Sequence, residues 1–102
     1  SSIIFERAGV YEVHYTFEGE LAAAATNVTV SAKWNKNSTT AVPGSSMQWG
    51  FESTEKEHYG GVFQVEVAAN DFIQLLMKNS TASASNLSFG VPKIAVKYIS
   101  SN

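Results

Sequence analysis

An all-β protein built as an antiparallel β-sandwich is what this sequence predicts, on three observations. Apolar and polar residues alternate with period two in several segments. Stretches rich in Gly, Asn, Ser, Thr and Pro divide those segments, and helix signals are almost missing. Short strands separated by turn chemistry are the pattern of a sandwich or barrel.

Residues 3–6 are a short first strand. In 10–17, Tyr11, Val13, Tyr15 and Phe17 share one face, and Glu12, His14 and Thr16 share the other, because successive strand side chains point to opposite faces. Residues 21–25 favour helix locally but are too few to propagate one in water, and their small side chains suit a connection. In 27–34 the alternation returns, with Val28, Val30, Ala32 and Trp34 together and Thr29, Ser31 and Lys33 opposite. The polar stretch 35–46 reads as a loop, 47–51 as a short strand and 53–58 as a second loop. Phe63, Val65 and Val67 then alternate with Gln64 and Glu66 in 61–67. Residues 71–78 read as a strand buried on both faces, because Phe72, Ile73, Leu75, Leu76 and Met77 serve both sides, with a short helix as the alternative. After a third loop at 79–85, Pro92 cannot donate a ladder bond and belongs at a strand start, bulge or edge. Residues 94–99 close the series with Ile94, Val96 and Tyr98 inward and Lys97 outward.

Length fits one domain, 1–102, with enough chain to bury a single core. The absence of Cys excludes disulfides and thiolate zinc sites. A net charge of −2, with 7 scattered Lys and Arg, gives no footprint for nucleic acid or an acidic membrane. No apolar run approaches the ~20 residues that span a bilayer, so membrane insertion is not expected. The chain opens on Ser1, the pattern of a domain cut from a longer protein. Ser, Thr and Asn supply 27 of the 102 residues, which makes a surface solvated by neutral hydrogen-bonding groups, a habit that suits extracellular or virion proteins.

Catalytic chemistry finds little support. His14 stands two residues from Glu12 on one strand face, but no nucleophile motif accompanies the pair, so the domain reads as a non-enzyme. Glu52, Glu55 and Glu57 lack calcium-loop spacing, and the histidines lack an i, i+4 partner; no metal or cofactor is expected. Trp34 and Trp49 are ligand candidates, since flat rings stack on sugars, although their alternation with apolar neighbours equally fits core packing. His58 is a third ligand candidate beside Tyr59. Asn27, Asn37, Asn79 and Asn86 each open an Asn-x-Ser/Thr acceptor pattern, relevant only in a eukaryotic secretory pathway.

Taken in order, Gly9-Val10-Tyr11 with its aromatic strand, Tyr59-Gly60-Gly61-Val62-Phe63-Gln64, Asn70-Asp71 and Phe89-Gly90 resemble the tumour-necrosis-factor and complement globular-head superfamily of trimeric jelly rolls. The likeness covers nearly the whole chain. It implies a TNF-like jelly roll assembled as a homotrimer, with Glu12, His14 and Thr16 facing the three-fold axis or a neighbouring subunit and Tyr59 at the same interface. Glu12 and His14 depart from the apolar and aromatic residues the family commonly carries there. The chain is also shorter than the usual heads and lacks their cysteines. In that compactness it looks more like the tip domains of phage or viral fibres and of bacterial surface filaments. The implied function is a trimeric C-terminal tip or knob of such a fibre, at the virion surface or extracellular, serving trimerisation and binding of a host-surface receptor, a glycan among the receptor classes. Loops 35–46 and 79–85 would carry recognition. Two alternatives stay open: a secreted cytokine-like or complement-head-like module for a protein receptor, and a carbohydrate-binding module of a larger enzyme.

Overall fold

The computed structural model describes residues 2–21, 28–51, 56–79 and 87–102. Nine strands and no helix occur among them: β1 (Ser2–Ile4), β2 (Gly9–Leu21), β3 (Val28–Lys36), β4 (Thr40–Ala41), β5 (Met47–Phe51), β6 (Glu57–Val67), β7 (Phe72–Asn79), β8 (Leu87–Phe89) and β9 (Lys93–Ser100). They form two antiparallel sheets. In the β3 sheet the order is β1-β7-β3, with β4 and β5 sharing the far edge of β3. In the β2 sheet, β6 lies on one side of β2, and β8 and β9 divide the other between them. The chain passes from one sheet to the other at β1–β2, β2–β3, β5–β6, β6–β7 and β7–β8.

The sheets meet face to face through the residues that alternation turns inward. Val13, Tyr15, Phe17, Phe63, Val65 and Val67 come from one sheet; Val28, Val30, Ala32, Trp34, Phe51, Ile73 and Leu75 come from the other, and all are buried. Between the two central strands, Tyr15 and Trp34 meet edge to face with centroids 5.5 Å apart, and Phe63 tilts onto Trp34 at 5.6 Å. Such pairs add about 0.5–1.5 kcal/mol beyond the area they bury. Burial pushes the Tyr15 hydroxyl up from its ordinary pKa, and the Trp34 indole beside it pulls the other way. Neither the Tyr15 hydroxyl nor the Trp34 Nε1 has a hydrogen bond of good geometry.

Turn chemistry fixes the ends. Asn37 and Ser38 follow β3 in left-handed backbone, φ 53° and 72°, a conformation in which Asn is less penalised than bulkier residues. Asn37 Nδ2 donates to Asp71 Oδ1 at 2.9 Å, and the Phe72 amide donates to Asn37 Oδ1 at 3.1 Å. The Ala68 amide donates to Asp71 Oδ2 at 2.8 Å, while Asn70, at φ 73°, donates its amide to the Phe5 carbonyl. One clasp therefore joins the turn after β3, the β6–β7 turn and the chain after β1. Buried Ser45 fills a second such role: its hydroxyl accepts from the Trp34 amide at 3.1 Å and donates to the Val42 carbonyl at 2.7 Å.

Several boundaries differ from the sequence reading. The strand expected from residue 61 starts at Glu57, and β4 lies inside the polar stretch 35–46, zipped onto β3 through Lys36↔Thr40 and Asn35↔Ala41. Residues 71–78 form a strand, not a helix, but β7 is not buried on both faces. Ile73 and Leu75 enter the core, while Leu76 on the opposite face is 42% exposed, because no described element covers that side. Val96 and Tyr98 lie beside inward-facing Val13 and Tyr11 as expected, yet Val96 remains 41% exposed because β9 is the edge of its sheet. Pro92 directly precedes β9, where its missing donor costs no ladder bond. The connection expected at 22–25 and the acceptors Asn27 and Asn86 lie outside the described residues.

Two outcomes are expected. Tyr15→Phe removes a buried hydroxyl that lacks a partner, so its stability by urea denaturation equals or exceeds the parent's by up to about 1 kcal/mol; a clear loss would show that the hydroxyl is paired. The Asp71 carboxyl is held below its ordinary pKa first by the Asn37 amide, then by the Ala68 N–H. Its contribution is therefore present above the unfolded carboxyl value and fades as pH falls through the folded one. Asp71→Asn melts below the parent at pH 7, and the gap narrows as pH falls below the ordinary carboxylate range; a gap indifferent to pH would contradict this.

Candidate functional site

Register decides what each sheet shows to solvent. Across the outer face of the β2 sheet, His14 stands between Val62 and Ala95, and Thr16 between Gly60 and Lys93. Flanking rungs are charged or polar: Glu12 lies between Gln64 and Lys97, and Glu18 opposite His58. The centre of this face is small and apolar, with Val62 59% exposed. His14, Thr16, His58, Tyr59, Gly60, Gly61 and Val62 border an open hollow of about 340 Å³. His58 Nε2 lies 3.2 Å from Glu18 Oε2, with Lys56 Nζ at 4.0 Å from the same carboxylate. All three are solvated, so these pairs orient side chains more than they stabilise the fold.

Gly60 permits this face its depth. A Cβ there would strike the Tyr15 carbonyl oxygen and crowd Thr16 Cγ2 at 3.0 Å. The close approach of β6 to β2 thus requires glycine at this position.

The structure separates the expected site residues. Glu12, His14 and Thr16 do share the outer face of the β2 sheet. Tyr59 does not project with them: it pairs with Phe17, its ring packs on Phe51, Trp49 and Phe17 at 5.1, 5.9 and 6.3 Å, and its hydroxyl donates to the Gly50 carbonyl at 2.6 Å. His58, expected as a ligand residue, is the one whose strand position shares their face. Trp34 has no exposed surface and cannot stack on a ligand. Trp49 is half-buried, its ring 5.0 Å from that of Phe17. The recognition loop expected at 79–85 lies outside the described residues beyond Asn79, as do Glu52 and Glu55.

A second hollow, of about 770 Å³, opens on the β3 sheet and escaped the sequence reading. Ser31, Lys33, Gln48, Leu76 and Lys78 line it, from three adjacent strands. The missed signal is compositional: the five strands of the β3 sheet contain no Asp or Glu, whereas β2 and β6 carry five Glu. No cluster of three His, Cys, Asp or Glu that could hold a metal occurs among the described residues.

No known family model matches this chain, and no curated protein matches it.

The glycine requirement gives a test. Gly60→Ala forces β6 and β2 apart and lowers unfolding free energy by about 1–3 kcal/mol. Gly50→Ala, whose Cβ would meet nothing within 4 Å, changes it by less than about 0.5 kcal/mol. Equal effects in denaturant titrations would refute the crowding argument.

Proposed function

We propose that this domain is a non-enzymatic, trimeric jelly roll that caps a phage or viral fibre and binds a host-surface receptor, a glycan among the candidate classes. Repeated passage of the chain between two antiparallel sheets supports the jelly-roll reading, since a meander would keep consecutive strands in one sheet. The observation that carries the trimeric reading is the outer face of the β2 sheet. Exposed Val62, Gly60, Ala95 and Thr16 form a small-residue centre, and Glu12–Lys97 and Glu18–His58 frame it with polar groups. An apolar centre with a charged rim is how protein interfaces are built. His14 at that centre is then buried by the neighbouring copy, and Tyr59, anchored inward on Trp49 and Phe51, holds β6 in place beneath it.

Three copies on one axis leave each β3 sheet facing outward, so a weak receptor site gains avidity through repetition. A tryptophan-stacking carbohydrate module is less well supported, because Trp34 is fully buried and Trp49 is half-buried among aromatic rings. Light scattering tests the assembly. At micromolar concentration the mass is three times that of one chain, and Val62→Glu, which sets a carboxylate in the centre of the face, reduces it to one. A parent protein that scatters as a monomer would overturn the reading, and a monomer would favour the carbohydrate-module alternative.

A further inference from the structure

The hollow on the β3 sheet is an ordered grid. On one rung Gln48, Ser31 and Lys78 stand side by side across β5, β3 and β7; two residues along, Lys33 stands opposite Leu76, with Ser46 bordering the same hollow. Lys33 and Lys78 are diagonal neighbours, with backbones about 7–8 Å apart, so their flexible stems can converge on one anion. The ion pairs among the described residues are both made by Glu18 on the other sheet, which leaves no described carboxylate to neutralise either ammonium. Gln48 Nε2 donates to Ser31 Oγ at 3.2 Å, fixing the neutral polar row. Beside it Leu76, opposite Lys33, is 42% exposed.

From this juxtaposition we infer that the β3-sheet hollow binds a saccharide carrying one negative charge. The two lysines hold its carboxylate or sulfate, Gln48 and Ser46 meet ring hydroxyls, and the C–H face of the ring lies on Leu76. A sugar presents all three chemistries in one small unit. Nucleic acid would ask for more cations and for aromatic stacking platforms than the hollow offers. The volume lies within the range of small-molecule sites. The inference rests on the reading of the domain as a receptor-binding module and names the ligand class, but the site lies within one chain and does not require the trimer.

Three matched probes test it by NMR titration of the intact domain: lactose, 3′-sialyllactose and 3′-sulfated lactose. Expected are shifts at Ser31, Lys33, Leu76 and Lys78 with Kd near ~1 mM for an acidic probe, weakening as salt rises, and lactose at least about tenfold weaker. A response to the sialylated or the sulfated probe alone assigns the anion as carboxylate or sulfate. Lys33→Gln and Lys78→Gln each weaken the acidic probe by about tenfold at unchanged melting temperature. Equal binding of lactose, shifts confined to the β2 sheet, or no shift at about 10 mM probe would overturn the site. Concentration-dependent shifts of the same residues without sugar would also overturn it, by giving the face to a second copy. Scattering on the same samples keeps the two readings distinct. A monomer that binds the acidic probes upholds the site and defeats the trimer, whereas a trimer that ignores them defeats the site alone.

Discussion

The contact between Tyr15 and Trp34 is the one on which the remaining architecture depends. Each belongs to the central strand of its sheet, and each is flanked on both sides by strands whose register follows from that position. With these two rings inward, every odd-numbered residue of β2 from Tyr11 to Phe17 faces the core. Every even-numbered residue of β3 from Val28 to Trp34 faces it from the other side. The outer faces are then no longer free choices. His14 and Thr16 must face solvent or a partner, and so must Ser31 and Lys33, because a one-residue slip would invert both sets at once.

Much of this was legible in the sequence because period-two alternation is a local signal. Phe63, Val65 and Val67 lie inward as their spacing says, and Pro92 precedes a strand as its missing donor requires. Parity also carries the directions of the His58-Tyr59 pair: inward Phe63 and Val65 place Tyr59 inward and His58 outward. What the sequence could not show depends on long-range pairing. β4 is two residues whose strand character comes only from lying beside Asn35 and Lys36. The exposure of Leu76 depends on whether a third layer covers the sheet, and composition along β7 does not record that. The grid of Gln48, Ser31 and Lys78 joins residues from three separated segments, each unremarkable alone.

The two faces differ in chemistry. Glutamates concentrate on the β2 sheet, where lysines 93 and 97 and His58 stand close enough to balance them, a surface suited to meeting another protein with both signs of charge. On the β3 sheet Lys33 and Lys78 stand among neutral polar groups and, among the described residues, make no ion pair, a surface suited to a small anionic partner. Between them the β9 edge is blunted against strand addition by Pro92 at its start, by Lys93 and Lys97 along it, and by an irregular register at Val10–Tyr11.

Asn37 carries an implication for the route by which this chain is made. Its side-chain amide uses both ends in the clasp, donating towards Asp71 and accepting from the Phe72 backbone, on a turn already in left-handed geometry. The same residue opens an Asn-Ser-Thr acceptor sequence. Oligosaccharyltransfer to Nδ2 before folding would take one of its two hydrogens and set a branched chain of sugars where two turns must close on each other. Synthesis in a compartment without that enzyme, as in a bacterial cytoplasm, spares the clasp this conflict, and a eukaryotic secretory host would be a poor choice for producing the domain.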